Sequence, residues 1–215
     1  MLFFLLLILS VNSASVLCPP VPSCPHQPDS RQPSRWARLV HVQGDHQVLA
    51  LDSLNVASLR GEIRSKLFDL AGLIHDKKNE FTRDELRRSY NYYDLALKTM
   101  SYNFLVSATA STSSDDLSRA YEVFQRLALA LETVRMDMDH HEDMTLRTRN
   151  LWHRVEAKVD SLLKLLHVGL GGEGGLVGRQ VLPTDFTCVQ ESVSRDFRDF
   201  LVLRHTLESV EFYRP

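Results

Sequence analysis

Apolar residues recur every three or four positions along most of the chain, a spacing that predicts amphipathic α-helices. The clearest run covers residues 185–213, and we predict one continuous helix there. Its apolar positions are Phe186, Val189, Val193, Phe197, Phe200, Leu203, Leu207 and Val210. A link that is rich in glycine, residues 169–183, precedes this helix. Because such a link is long and flexible, the last helix is free to lie parallel or antiparallel to the one before it.

Three further stripes predict helices at residues 51–78, 114–138 and 144–167. Charged residues and histidines interrupt the pattern at residues 137–143, and we predict a turn there. One straight helix across both later stripes would be about 80 Å long at about 1.5 Å per residue, which is too long for a compact domain. Strand patterns are almost absent, so the predicted fold class is all-α, a helical bundle.

A fifth pattern lies between the first two stripes. The sequence Thr-Arg-Asp-Glu at residues 82–85 matches a capping box, which predicts the start of another helical run. The apolar positions of this run are Leu86, Tyr90, Tyr93, Leu97, Met100 and Phe104. Tyr92 and Tyr102 are predicted to face away from it, and Trp152 to lie in or near the core. Two explanations of the dense tyrosine group stay open, packing under a long loop and a binding surface.

The chain begins with an apolar run at residues 2–9, followed by small and polar residues. This pattern predicts a secretory signal peptide over residues 1–15, with cleavage after Ala14 or Ser15. The alternative is a buried N-terminal element. Residues 16–44 are rich in proline and predict an extended, poorly ordered segment, which leaves residues 45–215 for the bundle. No later segment is apolar for long enough to cross a bilayer, so we predict a secreted protein without membrane insertion.

The formal net charge of −2 at pH 7 gives no indication of a nucleic acid or an anionic membrane as partner. The chain has three cysteines, Cys18, Cys24 and Cys188, and an odd number in an oxidising compartment leaves one thiol over. Either Cys18 pairs with Cys24 and closes a small Pro-rich loop, or one of them pairs with Cys188. No Asn-x-Ser/Thr sequence occurs, so N-glycosylation is not expected.

Two local patterns look like chemical sites. Residues 169–174 match Gly-x-Gly-x-x-Gly, but a dinucleotide site also needs a preceding strand and a following helix, and neither is predicted. Residues 137–143 hold metal-ligand types, but adjacent His140 and His141 would point about 100° apart on a helix. Cys188 has no histidine within reach, since His205 would lie about four to five turns further along the same helix. We therefore predict no metal, no cofactor and no enzymatic activity.

The chain resembles a known family in two stretches. One is Asp116-Leu-Ser-Arg-Ala-Tyr-Glu-Val-Phe-Gln-Arg-Leu-Ala-Leu, and the other runs from Thr184-Asp-Phe through Phe197-Arg-Asp-Phe-Leu-Val-Leu-Arg-His-Thr-Leu-Glu-Ser-Val-Glu-Phe. Together they are similar to the interleukin-6 family of cytokines, in the branch of ciliary neurotrophic factor and cardiotrophin-like cytokine. The resemblance implies a long-chain four-helix bundle with up-up-down-down topology. Residues 51–78, 114–138, 144–167 and 185–213 would then be helices A to D, and residues 80–113 an A–B crossover that carries an extra helix.

The resemblance implies a secreted, extracellular cytokine that is monomeric until it binds class I receptor ectodomains. Clustering of a shared signal transducer and a related chain would then trigger JAK–STAT signalling. Some members carry Phe-x-x-Lys at the start of helix D, and this chain keeps Phe186 but has Val189 in place of the lysine. Phe186 is predicted either to anchor a receptor or to be the first core residue of its stripe. Arg204, near the other end of helix D, is the second candidate for receptor binding.

One other class of function fits the same stripes. A secreted helical bundle that carries a lipid or a small apolar ligand also has amphipathic helices and few disulfides. An internal apolar cavity would distinguish this carrier from a cytokine.

Overall fold

The computed structural model describes residues 56–106, 116–140, 145–170, 182–187, 189 and 192–214. All regular structure in these ranges is helical, which confirms the predicted all-α class. The helices are α1 (Val56–Asp84), α2 (Tyr90–Ala96), α3 (Asn103–Val106), α4 (Leu117–His140), α5 (Leu146–Gly169), α6 (Thr184–Thr187) and α7 (Ser192–Tyr213). The predictions for residues 1–55 and for the three cysteines lie outside the described residues.

The four long helices enclose the hydrophobic core. Helix α1 packs against α5 and α7, and α4 packs against the same two helices. The side-chain contacts that join them include Phe81 with Trp152, Tyr121 with His167, Phe124 with Tyr213, and His75 with Glu211. Trp152 is almost completely buried, as predicted, and its ring meets Phe81 edge-on at a centroid distance of 5.7 Å. No described helix has an apolar stretch long enough to span a bilayer.

Helix α1 continues past residue 78, where the sequence pattern predicted its end. The predicted capping box is wrong, because Thr82 lies inside the last turns of α1 and donates its hydroxyl to the carbonyl of Lys78 at 3.0 Å. Phe81 and Thr82 are both buried, so tertiary packing extends the helix beyond its local signals. Glu85 caps a different helix. It accepts hydrogen bonds from the hydroxyls of Thr145 and Thr148 at the start of α5.

The segment between α1 and α4 contains two short helices where the pattern predicted one helical run. Ser89 starts α2 by accepting a hydrogen bond from the N–H of Tyr92, and α2 ends at Ala96. Leu97 and Leu105 face the core, whereas Met100 is exposed. After this break the chain is held by Arg204, whose guanidinium donates hydrogen bonds to the carbonyl groups of Leu97 and Met100.

Helices α4 and α5 are separate, as the interruption at residues 137–143 predicted. Asp116 begins α4, since its carboxylate accepts a hydrogen bond from the N–H of Arg119 at 3.0 Å. Thr145 caps α5 by accepting a hydrogen bond from the N–H of Thr148 at 3.3 Å.

The last helix begins at Ser192 and not at residue 185, because Val189 is not helical and Phe186 lies on the separate short helix α6. Its burial also differs from the predicted single stripe. Val193 is exposed, whereas every residue from Phe200 to Leu207 is buried. The segment that carries α2 covers the side of α7 that would otherwise face solvent, since Tyr90 and Tyr93 pack against Phe200. The buried positions on that side therefore could not be recognised from the helix alone.

Two exposed glycines weaken α1. Gly61 and Gly72 lie inside the helix, and a Cβ added at either position would meet no atom within 4 Å. We expect Gly72→Ala to raise the free energy of unfolding by about 1 kcal/mol, because alanine restricts the unfolded chain and favours the helix. Thermal denaturation would measure this gain. Gly169→Ala is the control, since its Cβ would come within 3.3 Å of Leu59. An equal gain in the free energy of unfolding for Gly72→Ala and Gly169→Ala would contradict the packing described.

Candidate functional site

Phe186 lies on α6 and is completely buried. The rings of Tyr102 and Phe104 meet its ring edge-on at centroid distances of 4.9 and 5.0 Å. The carbonyl of Pro183 accepts a hydrogen bond from the N–H of Phe186 at 3.0 Å and so begins α6. Since none of the ring reaches solvent, its position does not agree with the predicted exposed anchor. It agrees with the alternative in that Phe186 is a core residue, but the ring joins the separate helix α6 to the segment after α2 and does not begin the stripe of α7.

A buried arginine, Arg198, lies beside Phe186. Its guanidinium donates to Asp199 at 2.9 and 2.8 Å, and it forms an ion pair with Asp137 on α4. It also donates to the carbonyl of Phe186 at 3.4 Å. One side chain therefore joins the end of α4, the start of α7 and α6. Its role was not predicted from the sequence, although an Arg-Asp pair between Phe197 and Phe200 was an available signal.

Two carboxyl groups near Arg198 are hard to ionise. Burial raises the pKa of Asp199 to about 6, although the guanidinium of Arg198 acts in the opposite direction. Burial and the neighbouring Asp199 raise the pKa of Asp196 to about 6 as well. Asp199 therefore depends on Arg198 to stay ionised at neutral pH, and this cluster holds the end of the bundle together.

Arg204, the second predicted receptor-binding residue, is only 5% exposed. Its guanidinium donates to the carbonyl of Leu97 at 2.8 Å and to the carbonyl of Met100. It also lies 3.6 Å from a carboxylate oxygen of Glu208. Because it holds the segment after α2 against α7, its position indicates a structural role and does not agree with a surface anchor.

The tyrosine group divides into core and surface residues. Tyr90 is buried against Phe200, and Tyr93 donates its hydroxyl to the carbonyl of Leu86 at 2.8 Å. Tyr92 is exposed, as predicted, and the guanidinium of Arg88 lies 5.6 Å from its ring. Tyr102 is half-buried against Phe186. Most of the group therefore packs the crossing segment onto the bundle.

The outer face of α1 carries an exposed aromatic residue that was not predicted from the sequence. Phe68 is 66% exposed and lies on the same side of the helix as Gly61 and Gly72. The guanidinium of Arg214, at the end of α7, lies 5.9 Å from its ring. The signal in the sequence was the position of Phe68 outside the apolar stripe. A partner could approach this face closely, because the two glycines leave the backbone uncovered.

A shallow groove of about 350 Å³ lies between the end of α1 and the start of α5. Its apolar floor includes Phe81 and Leu151, and Leu146 stands at its edge with 74% of its surface exposed. The rest of the lining is polar, with the uncharged residues Thr148 and Asn150 and the charged residues Lys77, Glu80, Asp84, Arg147 and Arg154. This mixed, open lining suits the surface of a protein partner better than a lipid chain.

Among the described residues, no group of three or more His, Cys, Asp or Glu side chains is arranged to hold a metal ion. Asp137, one of the ligand types in the interrupted stretch, pairs with Arg198 instead. No family model matches this chain, and no curated protein or solved structure matches it either.

Proposed function

We propose that this protein is a secreted cytokine of the long-chain four-helix class. In this proposal it has up-up-down-down topology, with α1, α4, α5 and α7 as helices A to D and α2 as an extra helix in the A–B crossover. It binds and clusters class I receptor ectodomains and so triggers JAK–STAT signalling. The function requires binding surfaces and no chemistry.

The order of contacts along neighbouring helices carries this proposal. In each packed pair, residue numbers increase along one helix while they decrease along the helix that it contacts, so the two helices are antiparallel. The pairs are Asp69–Lys158 and Phe81–Trp152 for α1 with α5, Phe68–Arg214 and His75–Glu211 for α1 with α7, Tyr121–His167 and Arg135–Glu156 for α4 with α5, and Phe124–Tyr213 and Asp137–Arg198 for α4 with α7. These contacts support one direction for α1 and α4 and the opposite direction for α5 and α7.

The lengths of the connections support the same topology. Residues 85–116 connect α1 to α4, and residues 170–191 connect α5 to α7, whereas residues 141–145 form a short link between α4 and α5. Two parallel neighbours in sequence need a long crossover, because the chain must return along the bundle before the second helix starts. A short link suits the one antiparallel step, from α4 to α5.

The exposed sides of α1 and α5 are the proposed receptor surface. Phe68 offers an aromatic ring, and Leu146 offers an apolar edge beside charged groove residues. Binding energy at protein interfaces concentrates in a few such anchors with a polar surround. This assignment replaces the receptor-binding role that followed from the family resemblance for Phe186 and Arg204, since both are buried.

We expect Phe68→Ala and Leu146→Ala each to weaken binding to a receptor ectodomain by about tenfold or more. Surface plasmon resonance with the purified ectodomain measures the affinity, and circular dichroism confirms that each variant is folded. Leu95→Ala is the matched control, because Leu95 is 76% exposed and lies on α2, which is not part of the proposed surface. If all three variants bind as tightly as the unaltered protein, the receptor surface is assigned to the wrong face.

Signalling is tested directly on cells that express the shared signal transducer and related receptor chains. We expect the purified mature protein to induce phosphorylation of the downstream transcription factor, and cells without the shared chain to give no response. Absence of a response across all cells that carry these receptors would reject the cytokine proposal.

A further inference from the structure

The chain contains two pairs of adjacent basic residues, Lys77–Lys78 and Arg87–Arg88, and their surroundings differ. The first pair lies inside α1. Lys77 bonds both carboxylate oxygens of Glu80 at 3.0 Å, and the ammonium group of Lys78 lies 4.5 Å from the centre of the Tyr90 ring. The backbone of this pair is therefore helical and both side chains are engaged.

The second pair lies in the turn between α1 and α2, and both side chains are exposed. Arg87 has a φ of +58°, a left-handed conformation that is unfavourable for a residue with a side chain. Among the described residues other than glycine, it alone has a positive φ. A third exposed basic residue, Arg83, lies in the last turn of α1. Arg87 and Arg88 thus present two guanidinium groups on non-helical backbone, and the guanidinium of Arg88 lies 5.6 Å from the exposed ring of Tyr92.

We propose that the Arg87–Arg88 turn is a processing site for a serine endoprotease with specificity for paired basic residues. The enzyme would bind both guanidinium groups in acidic pockets, which recognise arginine by charge and by paired hydrogen bonds. Hydrolysis consumes one water molecule, breaks the peptide bond between Arg88 and Ser89, and leaves a carboxylate on Arg88 and an amino group on Ser89. The inference rests on the proposed secretion, because such proteases act on secreted proteins.

Cleavage requires local opening of the turn. Leu86 and Tyr90 flank the scissile bond and are buried, and the carbonyl of Leu86 accepts a hydrogen bond from Tyr93. A protease binds its substrate in an extended form, so these contacts must release before the bond is cut. The population of the open turn then sets the rate of cleavage.

The two products are expected to stay together. Helix α1 packs on α5 and α7 along its length, and Glu85 bonds Thr145 and Thr148 on the N-terminal side of the cut. On the other side, Tyr90 packs against Phe200, and Arg204 holds the end of α2. The processed protein is therefore a two-chain bundle, held by the same packing as the single chain.

Limiting amounts of a subtilisin-like endoprotease specific for paired basic residues, added to the purified mature protein, test the inference. Mass spectrometry is expected to find fragments that end at Arg88 and begin at Ser89. The fragments should elute together in size-exclusion chromatography and separate in denaturing electrophoresis. First cleavage after Lys78 or at any other bond, or no cleavage at all, would overturn the proposal.

Three variants show whether opening of this turn controls the reaction. Arg88→Ala should abolish the cut. Leu86→Ala should accelerate it by about tenfold or more, because the loss of a buried leucine favours the open turn. Leu95→Ala, at an exposed leucine on α2, should leave the rate unchanged, and equal rates for the two leucine variants would contradict control by opening. The cleavage test uses no receptor. If the unaltered protein resists the protease but the Arg88→Ala variant still triggers signalling, the processing site is rejected and the proposed cytokine function is not.

Discussion

Arg198→Met is expected to lower the free energy of unfolding by about 3 to 5 kcal/mol. The guanidinium is fully buried and bonds Asp199 and Asp137, so its loss leaves the buried carboxylate of Asp199 and the partly buried one of Asp137 without their counter-charge. Removal of one partner of a buried ion pair costs more than the pair contributes, because the remaining charge stays desolvated. The packing of α4 and α6 against the start of α7 should loosen at the same time.

Urea denaturation followed by circular dichroism at pH 7 would measure this loss. The deficit should shrink at pH 5, because Asp199 is protonated there and no longer leaves a buried charge. Its pKa is already about 6 with Arg198 present, and loss of the guanidinium raises it further. Arg83→Met is the control, since the side chain of Arg83 is 68% exposed and its pair with Asp84 should contribute less than about 1 kcal/mol. Equal losses for the two arginine variants would contradict the central role of Arg198.

Phe186→Ala is expected to cost about 3 to 5 kcal/mol, the usual range for removal of a buried phenylalanine ring. The ring packs edge-on against Tyr102 and Phe104 and is completely buried, so its removal leaves a cavity between α6 and the crossing segment. Phe186→Leu should cost much less, because most of the volume remains.

The same denaturation experiment on Phe68→Ala provides the matched comparison, since Phe68 is exposed and its loss should leave the stability nearly unchanged. Receptor affinity should show the opposite order, with a loss for Phe68→Ala and none for folded Phe186→Ala. A Phe186→Ala variant of normal stability that no longer binds the receptor would restore the role that the family resemblance suggested.

Several features of this fold follow from short-range pattern. The spacing of apolar residues was enough to predict the all-α class, the four long helices and the break between α4 and α5. The core position of Trp152 followed from the same stripe. These features depend on which side of a helix each residue occupies, and that is set by the helical repeat of neighbouring positions.

The boundaries that were wrong depend on contacts between distant parts of the chain. The local sequence predicted that a helix starts at Thr82, but α1 continues through this residue, where Phe81 packs against Trp152. The predicted helix after residue 86 breaks where Arg204 donates hydrogen bonds to the carbonyl groups of Leu97 and Met100. In each case a partner far away in sequence outweighs a local preference of about 1 kcal/mol.

In the candidate site, too, some features follow from the sequence pattern and others depend on distant contacts. The sequence by itself determined that the chain forms a helical bundle, and it suggested Phe186 and Arg204 as candidate receptor-binding residues. Only the tertiary structure decided that both are buried, that Arg198 holds one end of the bundle, and that Phe68 and Leu146 are exposed. The repeat of apolar residues identifies one buried side of each helix, whereas the full set of buried residues depends on how many neighbouring elements cover that helix. Helix α7 is covered by α1, α4 and the segment with α2, so residues outside its stripe are buried as well.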